Sequence, residues 1–178
     1  MDWTGLPYEE CLQGDEVAML QFALDRVRRQ FAWKTGNLTA DQLRRPHPTS
    51  SMTLAGLVKH LALVEAGAAA RAAGRPIGAP WDERSEEQNE AWTWASALED
   101  EPDELYALWY REAERGRRLW AELSRDGGLD ATIDEGDPDW VTSRRRLLVD
   151  LLEEYLRHTG HADLLREAVD GLRGNDPD

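Results

Sequence analysis

Two short runs hold the side chains whose types and spacing could do chemistry. When Leu147 to Glu167 is wound at roughly 100° per residue, Asp150, Glu154, His158 and His161 fall within roughly 80° of one another. Glu154 and His158, four residues apart, stack one turn above the other and can converge on a single ion. Leu148, Leu151, Leu152, Tyr155 and Ala162 fill the neighbouring arc, so the stripe lies at the rim of an apolar face, where an ion could bridge the core to another helix. A Glu-x-x-x-His pair alone is weak evidence, because the same spacing is a common solvated contact. Here, however, two of the four histidines of the chain share one stripe. A third, His60, lies among Leu54, Leu57, Val58, Leu61 and Val64; on its own it reads as a buried histidine satisfied by a neighbour. The fourth, His47, sits between Pro46 and Pro48 and reads as a loop residue.

These residues need helices to position them. Val17, Leu20, Leu24, Val27 and Phe31 recur at three- and four-residue steps, which predicts a first helix from Asp15 to about Trp33, ended by Gly36-Asn37. A short turn opened by Thr39 follows. Ser51 or Thr53 can cap a second helix running to about Ala73. Its end, Ala66-Gly67-Ala68-Ala69-Ala70, carries almost no side-chain volume, so either a partner helix approaches closely there or a pocket opens. Gly74 to Pro80 reads as a loop, and the acidic stretch Trp81 to Glu90 as its extension over the surface. Trp92 and Trp94 precede a third helix that starts near Pro102 and ends by Gly127-Gly128. Most of the eight tryptophans have the spacing of core or lid packing. Leu129 to Asp139 reads as an acidic loop, and Thr142 or Ser143 can cap the fourth helix, closed by Gly171 and Gly174. Four long helices without a convincing strand pattern predict an all-α four-helix bundle with long crossover loops, as a single domain over 1–178 with its core at about 15–174.

Bulk properties narrow the function classes. The chain of 178 residues has a formal net charge of −14 and a mean hydropathy of −0.65. That charge opposes binding to nucleic acid or anionic lipid, and no apolar run reaches the about 18 residues of a membrane span. Asp2, Glu9 and Glu10 stand where a secretory signal would need basic and apolar residues, which points to a cytoplasmic protein. Cys11, the single cysteine, excludes an intrachain disulfide and has no evident base beside it. Apart from Lys34 and Lys59 every cationic side chain is Arg, a usage suggestive of a GC-rich genome.

The segments Met52 to Leu61 and Glu153 to Glu167 resemble the two signature helices of the DinB/YfiT-like superfamily, closest to its actinobacterial mycothiol-transferase-like branch. Phe31-Ala32-Trp33-Lys34 and Leu38 to Leu43 are also similar to that branch. The resemblance implies an up-down-down-up bundle with one divalent ion held by His60, Glu154 and His158. It places His161 where many relatives have Gln or a further His, which makes it an orienting residue or an alternate ligand. Two positions depart from the branch: Asp150, where relatives often have His, and Ala68-Ala69, where they have bulky aromatics, so a roomier pocket is expected.

Two imidazoles and a carboxylate leave an ion with residual charge and an open position, as catalytic sites do. The resemblance then implies a metal-dependent thiol transferase, in which a small thiol, mycothiol in actinobacteria, attacks a small-molecule electrophile. Asp150, Glu153 and His161 are the candidates for orienting ligands or moving a proton. Zinc suits the ligand set best, with nickel, iron or manganese as alternatives. The rival readings are a non-catalytic metal- or ligand-binding stress-response module, a metal-dependent hydrolase, and a helical interaction domain without metal; a homodimer is left open.

Overall fold

The computed structural model describes residues 6–7, 9–48, 50–125, 127–134, 136, 139 and 141–174. The elements run α1 (Glu16–Thr35), α2 (Ala40–Leu43), α3 (Leu54–Ala73), α4 (Glu86–Ser96), α5 (Pro102–Leu123), β1 (Thr132–Asp134), β2 (Val141–Ser143) and α6 (Arg144–Asp170). Among the described residues the fold is all-helical apart from one small antiparallel hairpin. None of these helices is long and apolar enough to cross a membrane.

Caps set the helix starts. Asp15 Oδ1 accepts from the Ala18 amide at 2.9 Å, Thr53 Oγ1 from Gly56 at 3.0 Å and Ser143 Oγ from Arg146 at 3.3 Å. Each satisfies an amide that the first turn leaves without a helical partner. At the other ends, Gly74 (φ +60°) and Gly171 (φ +82°) adopt the left-handed conformation that closes α3 and α6.

Two segments differ from the sequence expectation. The acidic stretch around Trp81 to Glu90 is not all surface loop. Ser85 and Gln88 form a reciprocal capping box that starts α4, and Trp81 is fully buried. The loop expected over Leu129 to Asp139 contains β1, which pairs with β2 just beyond it, Thr132 opposite Ser143 and Asp134 opposite Val141.

The helix α3 organises the rest. Every residue from Leu54 to Leu61 is buried, Lys59 and His60 included, so this segment is enclosed on all sides. It packs against α5, α6 and α4, while α1 packs against α6. Enclosure obliges each polar group on α3 to find a partner. Lys59 Nζ donates to Ser96 Oγ at 2.7 Å, pairs with Asp100 and lies 4.1 Å over the Trp92 ring. Glu65 takes two hydrogen bonds from Arg28 on α1, at 2.6 and 2.8 Å.

That second pair anchors the aromatic centre. Trp109 Nε1 donates to the Tyr155 hydroxyl at 3.0 Å, and Phe31 packs on both rings at 5.8 and 6.2 Å. Tyr155 in turn hydrogen bonds Glu65; burial first, then the Glu65 charge, pushes its hydroxyl pKa well above the ordinary value. Gly116 on α5 leaves room for this carboxylate, since a Cβ there would lie 2.6 Å from Glu65 Oε2. At the opposite end of the chain, Arg166 NH1 donates to the carbonyls of Lys34 and Gly36 at 3.0 and 2.7 Å, tying α6 to the end of α1.

Glu65→Ala is therefore expected to destabilise the fold by about 3–5 kcal/mol, the cost of breaking a buried ion pair by removing one member. Gly116→Ala should also destabilise it, by displacing the same carboxylate. Urea denaturation of the two variants checks this; a loss below about 1 kcal/mol in Glu65→Ala would contradict the role assigned to the pair.

Candidate metal centre

Helix phase brings His60, Glu154 and His158 together. Leu57, Val58 and Leu61 turn α3 into the core and take His60 with them, while Leu151, Tyr155 and Ala162 do the same for α6 and leave Glu154 and His158 at its inner edge. One ligand atom from each of the three residues lies within 4.8 Å of the others. His60 Nε2 is 3.3 Å and His158 Nε2 3.2 Å from the same oxygen, Glu154 Oε2. The two rings meet edge to face, 4.6 Å between centroids.

The donor set fits a divalent ion. Ligand atoms held about 2.0–2.2 Å from one ion in a tetrahedral arrangement stand about 3.4 Å apart, close to the separations seen. His60 faces Glu154 Oε2 through Nε2 and, at 3.5 Å, Glu90 Oε2 through Nδ1. A cation among the three ligand atoms would take the Nε2 lone pair and leave the one proton of a neutral imidazole on Nδ1, on the Glu90 side.

The remaining sequence candidates occupy different places. His161 Nδ1 lies 3.2 Å from His158 Nδ1, behind the ligand ring. Asp150 accepts from Arg146 Nε at 2.6 Å and lines a cavity that Glu154 also borders. Glu153 is exposed, because the phase that turns Glu154 inward turns its neighbour out. His47 lies outside regular structure.

The cavity, of about 540 Å³, runs from Glu154 along the small-residue end of α3, past Gly67, Ala68 and Ala70, with Leu147 and Leu151 of α6 opposite. The expected pocket opens on the side of that stretch that carries Gly67, Ala68 and Ala70, while Ala66 and Ala69 are buried in the core. Its volume is in the range of small-molecule sites. Arg71, Arg75 and Arg84 add cationic groups to a wall in an otherwise acidic chain.

Sequence reasoning missed two neighbours of the site. Glu90 and Trp94 come from α4, whose first half reads in the sequence as surface loop and whose second half as the approach to the next helix. The Trp94 indole stacks on His60 with centroids 5.2 Å apart and planes 22° apart, and its Nε1 donates to Glu90 Oε1 at 2.6 Å. The signal was present in Ser85-x-x-Gln88, a capping-box pattern directly ahead of them.

Burial pushes the His158 pKa down to about 4; the adjacent His60 adds to the shift and Glu154 opposes it. The imidazole thus keeps its lone pair free at neutral pH. Because the folded value lies below the unfolded value of about 6.5, the unfolded chain takes up a proton that the folded chain refuses. Stability contributed here is present above pH 6.5, is lost as pH falls toward about 4, and does not change below that. In metal-free protein the melting temperature of wild type should fall more steeply than that of His158→Gln between pH 6.5 and 4. Parallel melting curves for the two across that window would rule the shift out.

A model of the family described as Mycothiol-S-transferase matches residues 19–171. That span contains α3, α4 and α6 up to its final cap, and hence all three converging residues. No curated protein matches the sequence.

Proposed function

We infer the activity from membership and site together: the chain belongs to the Mycothiol-S-transferase family, and we propose that it transfers a low-molecular-weight thiol, mycothiol, to a small electrophile. The observation that supports this reading best is the convergence of His60, Glu154 and His158 beside a cavity of about 540 Å³. His60 Nε2, His158 Nε2 and Glu154 would hold one divalent ion, zinc by the nature of the ligands. When bound, such an ion lowers the pKa of a thiol that coordinates it, so that thiolate is present near neutral pH.

The residues of the chain supply the rest. The Gly67 to Ala70 stretch gives the volume for a bulky thiol and its acceptor. Arg71, Arg75 and Arg84 present donors to the oxygens of either molecule. Asp150, one turn before Glu154 and lining the same cavity, would accept the thiol proton. The sulfur then forms its bond to the electrophilic carbon, and the leaving group departs with the electron pair of the bond it breaks. His161 holds His158: with Nε2 of His158 directed at the ion, its Nδ1 carries the proton and donates to His161 Nδ1 at 3.2 Å. Glu153, whose side chain is exposed, is given no role in this reading.

Purified wild type should contain one divalent ion per chain, His158→Ala should lose it and His47→Ala should keep it. Metal at about 100 times its Kd should raise stability by about 2.7 kcal/mol in wild type and not in His158→Ala. With metal-loaded protein, mycothiol and monochlorobimane, conjugation should exceed that with free metal, and Asp150→Asn should lower the rate more than the metal content. Equal metal content in wild type and His158→Ala would refute the ligand assignment; loaded protein that neither binds the thiol nor accelerates conjugation would reduce the ion to a structural role.

A further inference from the structure

The side of His60 that points away from the ligand cluster is built as carefully as the cluster itself. His60 Nδ1 is fully buried and lacks a hydrogen-bond partner. The carboxylate oxygen Glu90 Oε2 stands 3.5 Å from it, just beyond the about 2.7–3.2 Å of a formed N–H···O bond. The other oxygen of Glu90 is held: Trp94 Nε1 donates to Oε1 at 2.6 Å. The indole that makes this bond is itself stacked on the His60 ring. Its seat on α3 depends on Gly56, where a Cβ would lie 2.5 Å from Trp94 Cε3. Four residues from two helices thus aim one carboxylate oxygen at one imidazole nitrogen and stop short of contact.

We propose that Glu90 is a positioning residue for His60, its Oε2 accepting the Nδ1–H hydrogen bond that fixes the ring with Nε2 toward Glu154 and His158, while Trp94 braces Glu90. This rests on the metal-centre reading above and deepens it. A histidine that ligates a metal through one nitrogen donates the other N–H to a carboxylate, carbonyl or water, which fixes the tautomer and raises the basicity of the ligand. Of the two carboxylates that face His60, Glu154 belongs to the ligand set, which leaves Glu90 as the acceptor. The side chain is half exposed and unbranched, so a shift of about half an ångström closes the gap. The burial of Nδ1 supplies the drive, since an N–H left unpaired there is costly.

The test uses the full chain with Zn²⁺ as the probe. In competition titrations with a chelator, Glu90→Ala should bind Zn²⁺ 10–100-fold more weakly than wild type. Glu90→Gln, which keeps the acceptor and the shape but not the charge, should fall between them. Glu86→Gln, which removes a carboxylate one turn earlier on α4 and on the wall of the same cavity, should stay within about twofold. In zinc-loaded wild type, ¹⁵N-resolved proton spectra should show a slowly exchanging His60 Nδ1–H, and Glu90→Ala should lose it. Melting curves without metal show whether each variant folds, and the wild-type spectrum together with the isosteric Gln variant decides the matter if Glu90→Ala does not. Wild-type affinity in Glu90→Gln and Glu90→Ala, a loss matched by Glu86→Gln, or a rapidly exchanging Nδ1–H in loaded wild type would overturn the proposal and leave the metal centre standing. A wild type that binds no Zn²⁺ would overturn the metal centre itself, and the role of Glu90 with it.

Discussion

Enclosure of α3 is the constraint from which the other features follow. From Leu54 to Leu61 the helix has no face turned to water, so it cannot be stabilised as an ordinary amphipathic surface helix, with a polar side left to the solvent. Something must cover the side that carries Gly56, Lys59 and His60, and α4 does so with Trp92 and Trp94. Polar groups on the enclosed helix then require partners inside the protein. Lys59 receives Ser96 and Asp100, Glu65 receives Arg28 and Tyr155, and His60 receives Glu154 on one side with Glu90 near the other. The same enclosure opens the cavity. Where α3 changes to Gly67, Ala68 and Ala70, its neighbours no longer have side chains to pack against, and the space beside Glu154 stays open.

The parts of this arrangement that the sequence discloses are those governed by local rules. Helix period and caps placed the starts of α1, α3 and α6 to within a residue or two, since Asp15, Thr53 and Ser143 each bond an amide three residues on, and Pro102 marked the start of α5, which ends at Leu123, short of the expected Gly127-Gly128. The convergence of His60 on the Glu154 and His158 pair is different in kind. Spacing alone aligns Glu154 with His158, but nothing local relates them to His60, 94 positions before Glu154 in the chain. Only the resemblance to a family joined the two helices before the geometry did.

What escaped the sequence reading has a common cause. Composition made the Trp81 to Glu90 stretch look like a surface loop, because five acidic side chains there outweigh its few apolar ones. Yet a helix that serves as a cover needs only one apolar edge, and Trp92 and Trp94 provide it while the acidic face stays in water. Glu65 was hidden for a related reason. In a list of residues it is a charge on an apolar helix, which ordinarily marks the exposed side; its burial depends on Arg28, 37 residues away, and on the absence of a side chain at Gly116. Partnerships of this kind are tertiary, and no window of sequence contains both members.

The site divides its tasks between rigid and adaptable parts. His60, Glu154 and His158 stand on two long helices packed against each other, and the core around Tyr155, Trp109 and Phe31 fixes the depth at which α6 sits. Their spacing is therefore a property of the core, which gives metal ligands the precision they need. The cavity is built otherwise: one wall is α3 stripped of volume, another is α4, a short helix joined to α3 and α5 by loops, and Arg71, Arg75 and Arg84 reach it on long side chains. Exchanging small residues for large ones between Gly67 and Ala70 would change the shape of what fits without moving a ligand. Residues of α4 that meet both parts are the exception. Glu90 borders the cavity and also faces His60, and Glu154 borders it as a member of the ligand cluster, so the two halves of the site meet at these two carboxylates.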